Sequence, residues 1–182
     1  MTALDMRSDL ESLGDNTFIH DNAEIRRPQL FSIGNNSAID YGFYCTVAAK
    51  LGDHIHIGPH VSVIGGAQGK LSMSHFSNLS AGCRVVCGTD DFLGGGLIGA
   101  CIPDEFKDSQ TISPISLAKF VNVGTNVIIL PGLELAEGTV IAANSLVTQS
   151  TEPWTIYMGS PAKPYKAREK EKMINFAKKM GY

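Results

Sequence analysis

Aliphatic or thiol side chains recur at every sixth position along this chain of 182 residues: Ile33, Ile39, Cys45, Leu51, Ile57 and Val63, then Leu117, Val123, Ile129, Leu135, Ile141 and Val147, with Met73, Leu79 and Val85 between the two runs. With 43% of residues hydrophobic, six consecutive hits have a chance of about 0.006 in any one frame, so two such runs are not accidental. A helix cannot use this spacing: at about 100° per residue each step of six turns the hit by roughly 240°, and successive hits visit three faces. A strand can, because six residues are three dipeptides and every marked side chain returns to the same side. Gly34, Gly52, Gly58 and Gly124 directly follow marked residues and permit a sharp corner. Three such units then close one triangular coil of a solenoid filled by stacked aliphatics.

The remaining composition narrows the function classes. Lys plus Arg number 15 against 18 Asp plus Glu, a formal net charge of -3, and no dense basic run precedes the last twenty residues. That argues against a nucleic-acid or membrane-surface binder. No apolar stretch approaches the roughly 20 residues of a spanning helix, and the first residues, MTALDMRSDLESL, lack the basic-apolar pattern of a leader; a cytoplasmic location is the expectation. Cys45, Cys83, Cys87 and Cys101 form neither a dense disulfide framework nor paired zinc hooks, and read as reduced structural thiols.

Along the chain, residues 1–29 read as a lead-in cap with a short helix over 3–13, and 30–163 as the solenoid. Residues 164–182 hold an amphipathic helix, with Met173, Phe176, Ala177 and Met180 on one stripe to cover the open edge of the last coil. Between the hexad runs an excursion loop spans about 88–114, and a break that long in a regular array marks a functional loop. Within it Gly94, Gly96 and Gly99 satisfy GxGxxG, but neither a preceding buried strand nor a following helix supplies the context that dinucleotide binding needs.

The hexads, with IHIGPHVSVIGG at 55–66, VGTNVIILPG at 123–132 and WTIYMGSPAKPYKAR at 154–168, resemble the hexapeptide-repeat acyltransferases, in particular the galactoside, maltose and xenobiotic O-acetyltransferase group and sugar acetyltransferases of surface-polysaccharide clusters. The resemblance covers roughly residues 30–168. It implies an all-β fold, a left-handed parallel β-helix, assembled as a homotrimer with sites between subunits. It also implies acetyl-CoA as co-substrate with no metal required, and a saccharide or nucleotide-sugar acceptor bearing a hydroxyl or amino group.

Acyl transfer from a thioester needs an aligned nucleophile and, for a hydroxyl, a base within reach. In the resembling enzymes the base is a histidine where the long loop departs, and Asp90 stands at that place here, in VVCGTDDFLGG at 85–95. Asp90 and Asp91, with Phe92 beside them, are therefore candidates for binding the acceptor, for acting as base, or for a loop-entrance turn. His60 matches a polar active-site position one coil earlier and is the candidate general base, with Asp90 or Asp91 orienting it or the acceptor across a subunit boundary. An amine acceptor would make a base dispensable. For the coenzyme, the resemblance points to Gly124 and Ala142 along the pantetheine arm, and to Lys163 and Arg168 at phosphate. Trp154 and Tyr157 could stack on adenine or plug the end of the core. A noncatalytic scaffold, or a carbonic-anhydrase-like zinc protein using His54, His56 and His60, stays open beside these readings.

Overall fold

The computed structural model describes residues 9–182. Short strands wind into a parallel β-solenoid with three faces. The first face is a six-stranded sheet of Ser12–Leu13, Phe31–Ile33, Ala48–Leu51, Lys70–Met73, Ile115–Leu117 and Glu134–Leu135. The third, also six-stranded, holds Glu24–Ile25, Tyr44–Cys45, Ser62–Ile64, Arg84–Val86, Ile128–Ile129 and Leu146–Val147. The second face runs from Phe18–Ile19 through Ala38–Ile39, His56–Ile57, Asn78–Leu79, Asn122–Val123 and Val140–Ile141 to Thr155–Gly159, and Ala162–Ala167 folds back antiparallel on its end.

The six-residue period becomes spatial register. Ile33, Leu51, Met73, Leu117 and Leu135 are partners down the first face. Ile39, Ile57, Leu79, Val123 and Ile141 are partners down the second, and Cys45, Val63, Val85, Ile129 and Val147 down the third. None of these fifteen side chains is more than 5% exposed. Burying each aliphatic one contributes about 1.5–3 kcal/mol before chain entropy is charged against it. Two residues ahead of each marked position the side chain also turns inward, as Ile55, Val61, Val121 and Val127 or as the hydroxyls of Ser37, Ser77, Thr139 and Ser145. The hydroxyls can be buried because each is bonded, for example Ser77 Oγ donating to the Ser74 carbonyl at 2.6 Å and Ser145 Oγ accepting from Gly159 N–H at 3.0 Å.

The corner between the first and second faces is built on left-handed backbone. Asn16, Asn36, His54, Phe76, Phe120 and Gly138 all have φ between 52° and 70° there, a conformation that costs any residue but glycine. Stacking of neighbouring coils compensates: His54 lies on Phe76 at 4.8 Å between ring centroids and Phe76 on Phe120 at 5.4 Å, both pairs nearly parallel.

Two expectations about the ends change. The helix expected over 3–13 lies largely outside the described residues, and its last two, Ser12–Leu13, are the first strand of the solenoid. The C-terminal helix is present as Glu171–Lys179, but it does not cover the last coil. That edge of the second face is covered by Ala162–Ala167 instead. The helix lies between Arg168, bonded at Phe120 and Gly138, and Tyr182, bonded to Asp53, so it runs back along the first corner. Accordingly Ala177 is buried and Met173 and Ile174 are half-buried, whereas Phe176 and Met180 stay 55% and 53% exposed. Trp154 and Tyr157 divide their roles: Tyr157 continues the second-face column, with its hydroxyl accepting from Glu152 N–H at 2.8 Å, and Trp154 joins the corner stack.

Candidate active site

After Arg84–Val86 the chain leaves the three faces. Gly88–Asp90 pairs antiparallel with Gln110–Ile112, placing Asp90 opposite Gln110. The segment between folds on itself, Leu97 N–H donating to the Phe106 carbonyl at 2.7 Å and Asp108 N–H to the Leu97 carbonyl at 3.0 Å. A side chain at Gly96 would collide with the Lys107 and Asp108 backbone, so the glycine run answers a close crossing of two segments.

Between this ladder and the third face lies an open cavity of about 1270 Å³, lined among others by Arg26, Arg27, Tyr44, Thr46, Asp90 and Gln110. Its basic wall comes from the chain leaving the first coil. Arg26 stands 5.7 Å from the Tyr44 ring centroid and pairs with Glu24 at 2.5 Å, while Arg27 donates to the Thr46 carbonyl. The excursion supplies the other wall, with Asp90, Asp108 and the Asp104–Lys107 pair, and there Asp90 Oδ1 accepts from Gln110 Nε2 at 2.8 Å.

Asp90 and Asp91 are adjacent in sequence and differ in surroundings. Asp91 is not in the cavity lining; it accepts from Ser109 Oγ at 2.7 Å and Thr111 Oγ1 at 2.8 Å. The Ser109 and Thr111 hydroxyls hold its carboxyl below the usual carboxylate range. Phe92, in left-handed backbone and 64% exposed, is also outside the lining.

His60 lies at the corner between the second and third faces, exposed, its ring 5.2 Å edge-on to Tyr41 and filling the space beside Gly42. It does not line the cavity of its own chain. Gly124 and Ala142 share its corner and continue the ladder past the strands, Gly124 N–H donating to Ile141 and Ala142 N–H to Tyr157. A Cβ on Gly124 would come within 2.6 Å of the Ala143 nitrogen, so coil stacking alone requires glycine there. Lys163 is exposed on the antiparallel strand opposite Met158. Arg168 is half-buried and already engaged: it donates to the Phe120 and Gly138 carbonyls at 2.8 and 2.9 Å and to Asn122 Oδ1 at 2.8 Å, which fits a clamp on the C-terminal segment better than a phosphate contact.

The three histidines of the zinc reading fall in separate surroundings. His54 stacks on Phe76, His56 Nε2 is 2.9 Å from Asp40 Oδ2, and His60 meets Tyr41; among the described residues no three His, Cys, Asp or Glu gather to hold a metal ion. Cys45, Cys83 and Cys87 are buried and free. Burial pushes the Cys45 thiol up to about 11 and the Cys87 thiol, with Cys45 nearby, up to about 12.

Arg26, Arg27, Tyr44, Thr46 and Gln110 were not picked out by sequence reasoning. The adjacent arginines were a usable signal, whereas the position of Gln110 depends on the ladder register, which no local pattern announces.

No protein-family model matches the chain. Among curated proteins it is 32% identical over 166 residues to the dTDP-4-amino-4,6-dideoxy-D-glucose acyltransferase of Escherichia coli, covering 88% of this chain and 84% of that protein. Among solved structures it matches AntD, an N-acyltransferase from Bacillus cereus in complex with dTDP and 3-hydroxybutyryl-CoA, at a TM-score of 0.88 and 32% identity, covering 96% of this chain and 94% of that one. AntD has also been solved with substitutions at a serine and at an aspartate ten positions later. The hexapeptide-repeat acetyltransferase VCA0836 from Vibrio cholerae, at 19% identity and a TM-score of 0.59 over 91% of this chain and 78% of that one, shares the fold.

Proposed function

Because the chain belongs to the hexapeptide-repeat acyltransferases, we propose that it transfers an acyl group from an acyl-CoA to the amino group of a dTDP-linked amino sugar held beside Asp90. The observation that carries this reading is that one cavity brings Arg26 and Arg27 from the first coil to face Asp90 and Gln110 of the excursion, where Lys107 is paired with Asp104. A nucleotide-linked amino sugar has a matching anionic diphosphate and a hydrogen-bond-donating amine. A neutral amine is nucleophilic without strong base assistance, so a carboxylate that positions it suffices. Ser80 and Asp90 stand at the interval of the serine and aspartate substituted in AntD, which favours Asp90 over Asp91.

In the reaction the amine nitrogen bonds to the thioester carbonyl carbon and the carbon–sulfur bond breaks. The amine loses one proton and the departing sulfur gains one, leaving an amide and the CoA thiol. Asp90 holds the amine by its N–H groups so that the lone pair meets the carbonyl. Gly124 and Ala142 line the path of the pantetheine arm and Lys163 meets phosphate, as an extension of the family pattern. These residues and His60 lie away from the Asp90 cavity of the same chain, so a complete site takes the cavity from one chain and the coenzyme corner from another. A homotrimer of left-handed coils with sites between subunits, the arrangement that the family pattern implies, accommodates this division. The excursion contributes acceptor selectivity, and a cytoplasmic place in surface-polysaccharide synthesis completes the reading.

The test is CoA thiol release with acetyl-CoA and 3-hydroxybutyryl-CoA as donors, against dTDP-linked amino sugars and hydroxyl-bearing saccharides, with product masses recorded. Much faster release with amino sugars than with hydroxyl-bearing saccharides is expected; release only with hydroxyl acceptors would overturn N-acylation and return attention to His60 as base.

A further inference from the structure

We infer that Gln110 selects an amine over a hydroxyl at the acceptor site, by presenting a second acceptor oxygen beside Asp90, a role that rests on the reading that Asp90 meets the acceptor. The antiparallel ladder sets the two residues opposite each other, and both line the cavity. Gln110 Nε2 lies 2.8 Å from Asp90 Oδ1. An ionised carboxylate only accepts, so the amide nitrogen is the arm turned toward it, and the amide oxygen is left as the other arm. Among the described residues no donor reaches Gln110 Oε1 or Asp90 Oδ2.

Two acceptor oxygens on one cavity wall distinguish nucleophiles by proton count. A sugar hydroxyl carries one proton and can satisfy one of them. A neutral primary amine carries two, can satisfy both, and keeps its lone pair free for the thioester carbon. Once the bound acceptor covers the Gln110–Asp90 pair, the hydroxyl analogue leaves one acceptor oxygen unpaired, which is the situation that gives polar sites their discrimination. Asp91 offers no such arrangement, because the Ser109 and Thr111 hydroxyls already occupy both its oxygens.

The experiment compares wild type, Gln110→Met, which keeps length without the amide, and Gln110→Glu, which keeps an acceptor oxygen but loses the N–H to Asp90. Acyl transfer is measured with dTDP-4-amino-4,6-dideoxyglucose and with the analogue bearing a hydroxyl at the same carbon. Expected is a loss of about 10- to 100-fold in kcat/KM for the amine with Gln110→Met, a smaller loss for the hydroxyl analogue, and a KM for acyl-CoA and a Tm close to wild type. Gln110→Glu is expected to lose amine transfer as well, through displacement of Asp90. Equal losses with both acceptors, or no loss with either, would overturn the role of Gln110. If wild type acylates the amine and Asp90→Ala abolishes transfer while Gln110→Met is silent, the functional reading stands and this inference falls. If wild type acylates neither acceptor, both fall.

Discussion

Trp154 occupies the space that a side chain on Gly138 would need, and through that gap it reaches Phe120 at 5.7 Å between ring centroids. Gly138 has φ +70°, so the position is restricted both by backbone conformation and by the indole above it. Gly138→Ala is expected to lower stability by about 1–3 kcal/mol, from backbone strain and overpacking together. Trp154 is the only tryptophan, so its fluorescence during denaturant unfolding reports both the stability and the local packing. An alanine variant with unchanged midpoint and emission would show that the indole does not depend on the missing side chain.

The same corner indicates what was legible in the sequence. Ile57, Leu79 and Val123 announce themselves because one strand register repeats in every coil, and a period carries its own evidence. The corner stack does not, since His54, Phe76, Phe120 and Trp154 are separated by unequal stretches of chain, and only coil stacking makes them neighbours. In the C-terminal helix the 3.6-residue pattern was readable, but the buried stripe shifted to Met173, Ile174 and Ala177 because the helix docks on the corner and not on the end. At the site, Asp90 stood out as a departure from a family pattern. The arginines opposite it come from the first coil, and their meeting depends on where the excursion folds back.

Asp90 and Asp91 should separate in kinetics. If Asp90 holds the acceptor, Asp90→Ala lowers kcat/KM for the amino sugar by about 100-fold or more. Asp91→Asn removes a carboxylate that the Ser109 and Thr111 hydroxyls already occupy, and is expected to cost less than about tenfold. Steady-state kinetics on both purified variants checks this, and the opposite order would transfer the acceptor role to Asp91.

His60 provides an independent check on the nucleophile. A hydroxyl acceptor needs a general base worth about 10²- to 10⁴-fold, whereas an amine does not. His60→Asn is therefore expected to lower kcat for an amino acceptor by less than about tenfold. A loss of a thousandfold, with its pH dependence flattened, would restore the histidine as base acting on a neighbouring subunit's cavity.

Tyr182 ties the C-terminal helix to the solenoid through Asp53, and this tie has a definite pH window. The Tyr182 hydroxyl donates to Asp53 Oδ2 at 3.0 Å, and its ring meets His54, His75 and Phe76. Burial pushes the Asp53 carboxyl up, but the Asn35 N–H and the Tyr182 hydroxyl, with His75 and His54 near, outweigh it and hold the carboxyl below its ordinary value. A carboxyl depressed in the folded state contributes stability above its unfolded pKa of about 3.9, and that contribution fades as pH falls through the lower folded value. Tyr182 shifts the other way: burial, then the bond to Asp53 and its charge, raise the phenol. Its contribution is complete below an unfolded pKa of about 10 and fades as pH rises through the folded one. The tie therefore holds from about pH 4 to about pH 10. Thermal melts of wild type and Tyr182→Phe should differ most within that window and converge below it, because protonated Asp53 no longer rewards the hydroxyl. A constant difference in Tm from pH 3 to pH 7 would mean that the ring contacts alone hold the helix.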